Sequence, residues 1–153
     1  MKDQEPFEIR MYHPDEKSIG SYEVIQIESN QFKLNYNDPF LEELTYGVQF
    51  EVEENKTSKG EYIFKKITKE SEFTSDTYTL PSLLNETELR KIGDKIIESG
   101  GYWEVMFGGI AYVNLPKGSE INILKEFEQA IESKKNYNTK VIAKAFIPFF
   151  CSF

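Results

Sequence analysis

Few residues in this chain could carry out covalent chemistry. Its 153 residues include one histidine, His13, and one cysteine, Cys151. Nucleophilic catalysis by serine or cysteine needs a neighbouring base, most often histidine, to accept the proton. His13 stands immediately before Pro14 in a polar stretch, which predicts a solvated histidine in a turn. Cys151 lies among phenylalanines near the end of the chain, where we expect it to be buried as a small apolar residue.

Metal and phosphate sites are also poorly supported. Zinc sites draw on several Cys and His ligands, and this chain has one of each. The sequence contains neither the calcium-loop pattern nor a glycine-rich phosphate loop. Pairs of carboxylates such as Glu53 and Glu54 are adjacent in sequence, and adjacent residues on a strand point to opposite faces. We therefore predict no metal and no cofactor, and favour a non-catalytic role over an enzymatic one.

Negative charge is concentrated in the first half of the chain. The net charge is −8, of which −7 falls on residues 1–72. Binding to nucleic acid needs a basic surface that displaces counterions from phosphates, so we expect no nucleic-acid partner. A basic protein is the partner that this charge favours. The candidate contacts are acidic residues of the first half: Asp38, Glu42, Glu43, Glu51 and Glu53.

The pattern of apolar residues predicts strands in the first half. Apolar and polar residues alternate, or β-branched residues accumulate, in five short runs: residues 7–11, 22–27, 32–36, 48–53 and 62–64. Alternation with a period of two is typical of strands that are covered on one face. The polar stretch between the last two runs predicts a hairpin with a long loop.

The second half changes to a helical period. Asn85, followed by Glu88, predicts a capped helix start, and Gly100 predicts its end. Two apolar runs then flank Gly108 and Gly109, which predict a tight hairpin turn. A second helix is expected to open near a capping serine, Ser119, and a last strand is expected over residues 139–146.

With residues 73–80 as a first strand, this half follows the ferredoxin-like βαββαβ order. The predicted fold class is therefore α+β, with a small β-sheet or barrel-like half over residues 1–72 and a ferredoxin-like half over 73–153. We expect the two halves to pack as one compact unit. The aromatic tail, residues 146–153, is expected to be buried against the first half in a monomer, with a homodimer contact as the alternative.

Residues 21–54 carry three short motifs, namely Phe32-Lys33-Leu34, Asn37-Asp38-Pro39-Phe40 and Leu44-Thr45-Tyr46-Gly47-Val48. In these motifs the segment resembles the first half of a bacterial family of small proteins catalogued only as a domain of unknown function. The chain keeps Thr77 of that family's next strand, but it has Tyr78-Thr79 in place of a Thr-x-Arg-like ending and Val48 in place of an Asp. The resemblance implies a small β half plus a ferredoxin-like half, and it implies no activity.

The cellular compartment can be predicted from the apolar stretches and the cysteine content of the chain. Its apolar stretches are much shorter than the roughly 20 residues that span a bilayer, and residues 1–12 are charged where a signal peptide would be apolar. With one cysteine it can form no intrachain disulfide. We therefore expect a soluble cytoplasmic protein without a membrane partner.

Two functions remain open. The first is a non-catalytic binding module, such as an inhibitor or an immunity-type protein, whose acidic first half is steered to a basic partner. The second is a small-molecule sensor or enzyme with a pocket between the two halves. That pocket would be lined by three aromatic residues and one carboxylate: Tyr46, Tyr78, Trp103 and Glu104.

Overall fold

The computed structural model describes residues 5–82 and 84–135, with side chains described up to Glu132. The chain divides into two compact units, Met1–Glu72 and Phe73–Phe153. The protein is mixed α+β and rich in strands, with a closed five-stranded barrel in the first unit and a three-stranded sheet with two helices in the second. The predicted fold class is thus confirmed at the level of a strand-rich α+β protein.

The barrel is built from five consecutive strands: β1 (Phe7–His13), β2 (Ser18–Glu28), β3 (Gln31–Leu34), β4 (Gln49–Glu54) and β5 (Glu61–Lys69). Each strand pairs antiparallel with the next one. Five strands alternating in direction leave the first and the last parallel, and β1 pairs with β5 in that sense, with Met11 opposite Tyr62. Closure removes the free sheet edges that would otherwise be open to further pairing.

Alternating burial explains why these segments form strands. In β4, Phe50 and Val52 are buried while Glu51 and Glu53 point outward. The same alternation places Ile9 and Met11 of β1 in the barrel core. The predicted strand over residues 32–36 is shorter in the structure, because β3 ends at Leu34.

The second unit consists of β6 (Phe73–Thr79), α1 (Glu86–Glu98), β7 (Tyr102–Met106), β8 (Ile110–Pro116) and α2 (Ile123–Lys135). Its strand order is β6-β8-β7, with both pairings antiparallel. The helices cover one face of this sheet, where Ile96, Val113 and Phe127 form part of a buried cluster. The last predicted strand, over residues 139–146, and the aromatic tail lie outside the described residues.

The helix starts show one confirmed prediction and one wrong prediction. Asn85 caps α1, since its side chain accepts a hydrogen bond of 2.9 Å from the backbone N–H of Glu88. The predicted cap of the second helix, Ser119, is wrong, because α2 begins at Ile123 and it is the side chain of Asn122 that accepts from Lys125 N–H at 3.0 Å. The capping residue therefore lies three residues further along the chain than predicted.

The hairpin between β7 and β8 turns one residue earlier than predicted. Phe107 and Gly108 have φ angles of 52° and 72°, and Gly109 N–H donates to Met106 C=O at 3.2 Å. Two consecutive positive φ angles are typical of a hairpin turn that matches the strand twist. Phe107 therefore occupies a backbone conformation uncommon for a bulky residue, and its side chain is 69% exposed.

Candidate binding groove

The interior of the barrel is filled by its own side chains. Twelve buried residues form one cluster: Ile9, Met11, Tyr22, Val24, Phe32, Leu34, Leu41, Leu44, Val48, Phe50, Val52 and Phe64. Small five-stranded barrels have interiors that side chains occupy completely. A ligand site in this unit therefore belongs on the outer surface.

One surface groove of about 480 Å³ lies beside the start of β2. One wall is the segment from Ser18 to Tyr22 with Glu16 of the preceding turn, and the other is the segment from Tyr36 to Leu41 that follows β3. A volume of this size is in the range of small ligand sites, roughly 300–1,000 Å³. Its lining combines aromatic and aliphatic side chains with two carboxylates.

The outer wall, which is the segment from Tyr36 to Leu41, is shaped by a turn around Asp38. The Asp38 carboxylate oxygen Oδ1 accepts hydrogen bonds from Phe40 N–H at 2.7 Å and from Leu41 N–H at 3.0 Å. Asp38 N–H donates to Leu44 C=O at 3.0 Å and closes the turn. Leu41 and Leu44 point into the barrel core, and Phe40 is left 83% exposed at the tip. The turn therefore holds the Phe40 side chain in solvent.

Two tyrosines, one from each wall, lie close together in the groove. The ring of Tyr22 is buried, and its centroid lies 6.4 Å from that of the Tyr36 ring. The Tyr36 hydroxyl donates a hydrogen bond to Ser21 C=O at 3.2 Å. Gly20 makes this possible, since a Cβ there would lie 2.7 Å from the Tyr22 ring. Burial, and secondarily the negative charge of Asp38, raises the pKa of Tyr22 to about 12. The Tyr22 hydroxyl therefore stays neutral under ordinary conditions.

The charge of the groove is negative. Among the residues that the structure describes, the charged ones that line the groove are Glu16 and Asp38, and both are acidic. A second surface concavity of about 630 Å³ follows the β4–β5 turn and is lined by Lys56 and Lys59 as well as by Glu54 and Glu61. The first groove therefore differs in combining exposed apolar surface with charge of a single sign.

His13, the single histidine of the sequence, lies beside Glu43 of the segment that contains the Asp38 turn. The prediction that His13 is solvated is wrong. His13 is 1% exposed rather than solvated. It is the last residue of β1, and its ring stacks on Phe64 at 4.6 Å between centroids. Its Nε2 lies 2.8 Å from Oε1 of Glu43. The inward series Ile9, Met11, His13 was present in the sequence and could have revealed this burial.

Most of the predicted acidic contacts already have partners within the chain. Lys66 lies 3.4 Å from Glu51, and Lys65 lies 2.9 Å from Glu53. The hydrogen bond from Lys65, together with its charge, lowers the pKa of the Glu53 carboxyl. Among the five predicted contacts, Glu42 is exposed and makes no hydrogen bond or ion pair within the described residues. Asp38 is the one that lines the groove.

The structure also places the four residues of the predicted pocket. Tyr46 belongs to the first unit, where burial raises its pKa and its backbone carbonyl accepts from Ser71 Oγ at 2.6 Å. Tyr78 and Trp103 pack against the helix-covered core of the second unit. Glu104 follows Trp103 on β7 and points to the opposite face, where the Tyr102 hydroxyl donates to it at 3.3 Å. Trp103 and Glu104 are therefore not brought together.

Within the described ranges, no cluster of three or more His, Cys, Asp or Glu residues is placed to bind a metal ion. None of the helices described is both long enough and apolar enough to cross a bilayer.

Comparison with known proteins gives the fold and nothing more specific. No protein-family model matches the chain, and no curated protein does so either. A solved structure of a hypothetical protein from Neisseria gonorrhoeae is similar, with a TM-score of 0.51 and 14% sequence identity. The similarity covers 88% of this chain and 90% of that one. At this identity the likeness concerns the fold alone.

Proposed function

We propose that this protein is a non-catalytic binding module whose first unit binds an extended, basic segment of a partner protein in the groove between Ile19 and Phe40. The observation that carries the proposal is the exposed Phe40 ring, which a closed turn holds beside two carboxylates. Phe, Tyr and Trp side chains bury large apolar areas and dominate the energetics of interfaces. Inhibitors and immunity-type proteins are binding modules of this kind.

Charge complementarity identifies the occupant. Glu16 and Asp38 line the groove, and its walls hold no lysine or arginine within residues 5–82 and 84–132. A lysine or arginine of the partner would find a carboxylate there, while apolar residues on either side of it would cover Ile19 and Phe40. Long-range attraction between the acidic unit and a basic segment would raise the association rate. An extended segment suits a shallow groove because its alternate side chains point to the same side.

A pair of synthetic peptides tests this proposal. One alternates Lys with Leu around a central Pro, and the other has Glu in place of every Lys. Fluorescence anisotropy should show binding of the basic peptide, with an affinity that falls between low and physiological salt, and no binding of the acidic one. Equal binding of both peptides, binding without salt dependence, or binding of neither would contradict the proposal.

The second unit supports a finer structural proposal. The order β6-β8-β7 with antiparallel pairing is the order that the first three strands take in a ferredoxin-like sheet. We propose that this unit has that fold. The single cysteine of the chain is the basis on which we propose a cytoplasmic location.

A further inference from the structure

We infer that His13 and Glu43 are positioning residues for the groove, holding the turn that presents Phe40 and Asp38. The inference rests on the proposed function for its biological meaning, but its physical content concerns the turn alone. Neither residue lines the groove. They would act on a bound segment only through the geometry of the outer wall.

The turn from Asp38 to Leu44 is closed on itself by four backbone N–H donors. Asp38 N–H and Leu44 N–H donate to backbone carbonyls within the turn, and Phe40 N–H and Leu41 N–H donate to the Asp38 carboxylate. Within the described part of the chain, the one hydrogen bond that leaves this turn is the bond between Glu43 and His13.

The turn is attached to the barrel by buried leucine side chains and by the Glu43–His13 hydrogen bond, and the two attachments differ in how strictly they set its position. Leu41 and Leu44 are buried in the core, and hydrophobic burial is not directional. A hydrogen bond to a carboxylate prescribes distance and angle, and it is stronger than one between neutral groups. The burial of the leucines therefore keeps the turn on the barrel, while the Glu43–His13 bond sets where Phe40 stands.

His13 is well suited to act as a fixed anchor. Its side chain is 2% exposed, whereas that of Glu43 is 48% exposed. The ring is held by stacking on Phe64 at an interplanar angle of 19°. Glu43 as a carboxylate only accepts hydrogen bonds, so Nε2 carries the hydrogen. Nδ1 is buried and has no hydrogen-bond partner among the described residues. The geometry therefore places a hydrogen on Nε2.

Hydrogen exchange of the turn amides tests the inference without any ligand. In E43A the amides of Asp38, Leu41 and Leu44 should exchange about tenfold faster than in the wild type, the effect expected for losing one hydrogen bond to a charged group. E42A is the matched control, since it removes the same charge one residue away and should exchange like the wild type. E43Q should restore protection, because an amide oxygen accepts from the same Nε2–H.

Two further variants keep the result interpretable. H13F retains the stacking on Phe64 and removes the hydrogen-bond donor, so its turn amides should exchange as fast as those of E43A. The double variant H13F/E43A should exchange no faster than either single variant. If H13F does not fold, E43A against E42A decides alone. The amide of Phe50, a core residue on β4 outside the turn, should be unchanged in E43A, which separates loosening of the turn from global unfolding.

The outcomes for the inference and for the proposed function are distinguishable. Equal exchange in E43A and E42A would overturn the positioning role whatever the protein binds. A histidine nitrogen spectrum showing no hydrogen on Nε2 would overturn it as well. Faster exchange in E43A, together with absence of basic-peptide binding by the wild type, would leave the positioning role standing and overturn only the proposed function.

Discussion

Replacing Phe40 by Ala separates binding from folding, because the ring contributes to the two processes very unequally. Phe40 is 83% exposed, so folding buries little of its surface. Exposed positions of this kind usually change the free energy of unfolding by less than about 0.5 kcal/mol when substituted. If a partner covers the ring, however, its full burial contributes about 1.5–3 kcal/mol to binding. The basic peptide should then bind F40A about 10- to 150-fold more weakly than the wild type.

The control is F107A, which removes a second exposed phenylalanine, 69% exposed, from the other unit. It should bind the basic peptide like the wild type. Titration with the labelled peptide measures the affinities, and thermal unfolding measures the stabilities. The reasoning would be refuted if F40A lowered the melting temperature without weakening binding, or if F107A weakened binding as much as F40A.

Two further predictions concern the cores and the buried tyrosine. G93A should lower the melting temperature by an amount equivalent to about 1–3 kcal/mol, because the added Cβ would lie 2.2 Å from the Trp103 ring. G109A is the control, since nothing lies within 4 Å of a Cβ added there, and it should lower the melting temperature far less. Equal decreases in the two variants would argue against close packing at Gly93. The pKa of Tyr22 is raised from 10.0 to about 12, so its contribution to stability is complete below about pH 10 and is lost as the pH rises toward 12. Melting temperatures at pH 9 and pH 11 should therefore differ less in Y22F than in the wild type, and an identical difference in both would contradict the burial argument.

The sequence predicted the positions of individual strands and helices better than it predicted how the strands pair. Alternation identified β4, since Phe50 and Val52 alternate with acidic residues on a half-covered strand. It could not indicate that β1 closes the barrel by pairing with β5, because closure depends on strand tilt and stagger summed over the whole sheet. His13 continues the inward-facing series of β1, whereas its polarity and the following Pro14 favour a solvated turn, so the two signals conflict at this position.

The candidate groove was only partly accessible to sequence reasoning. Asp38 was predicted as a contact from charge alone, and the structure places it in the groove wall. Glu51 and Glu53 are predicted on the same ground, but each forms an ion pair with a lysine of the neighbouring strand β5. A charge count cannot show such pairing, because it depends on the register between strands. The exposed position of Phe40 depends on the Asp38 turn and could not be read from hydropathy.

The most direct test of the central claim is a map of amide chemical-shift changes when the basic peptide is added to the isotopically labelled protein. The proposal predicts that the largest changes fall on Ile19, Tyr36 and Phe40 and their neighbours, and that they fade as salt is raised. Changes confined to the second unit, changes centred on the β4–β5 turn, or no changes at all would contradict a binding function for this groove.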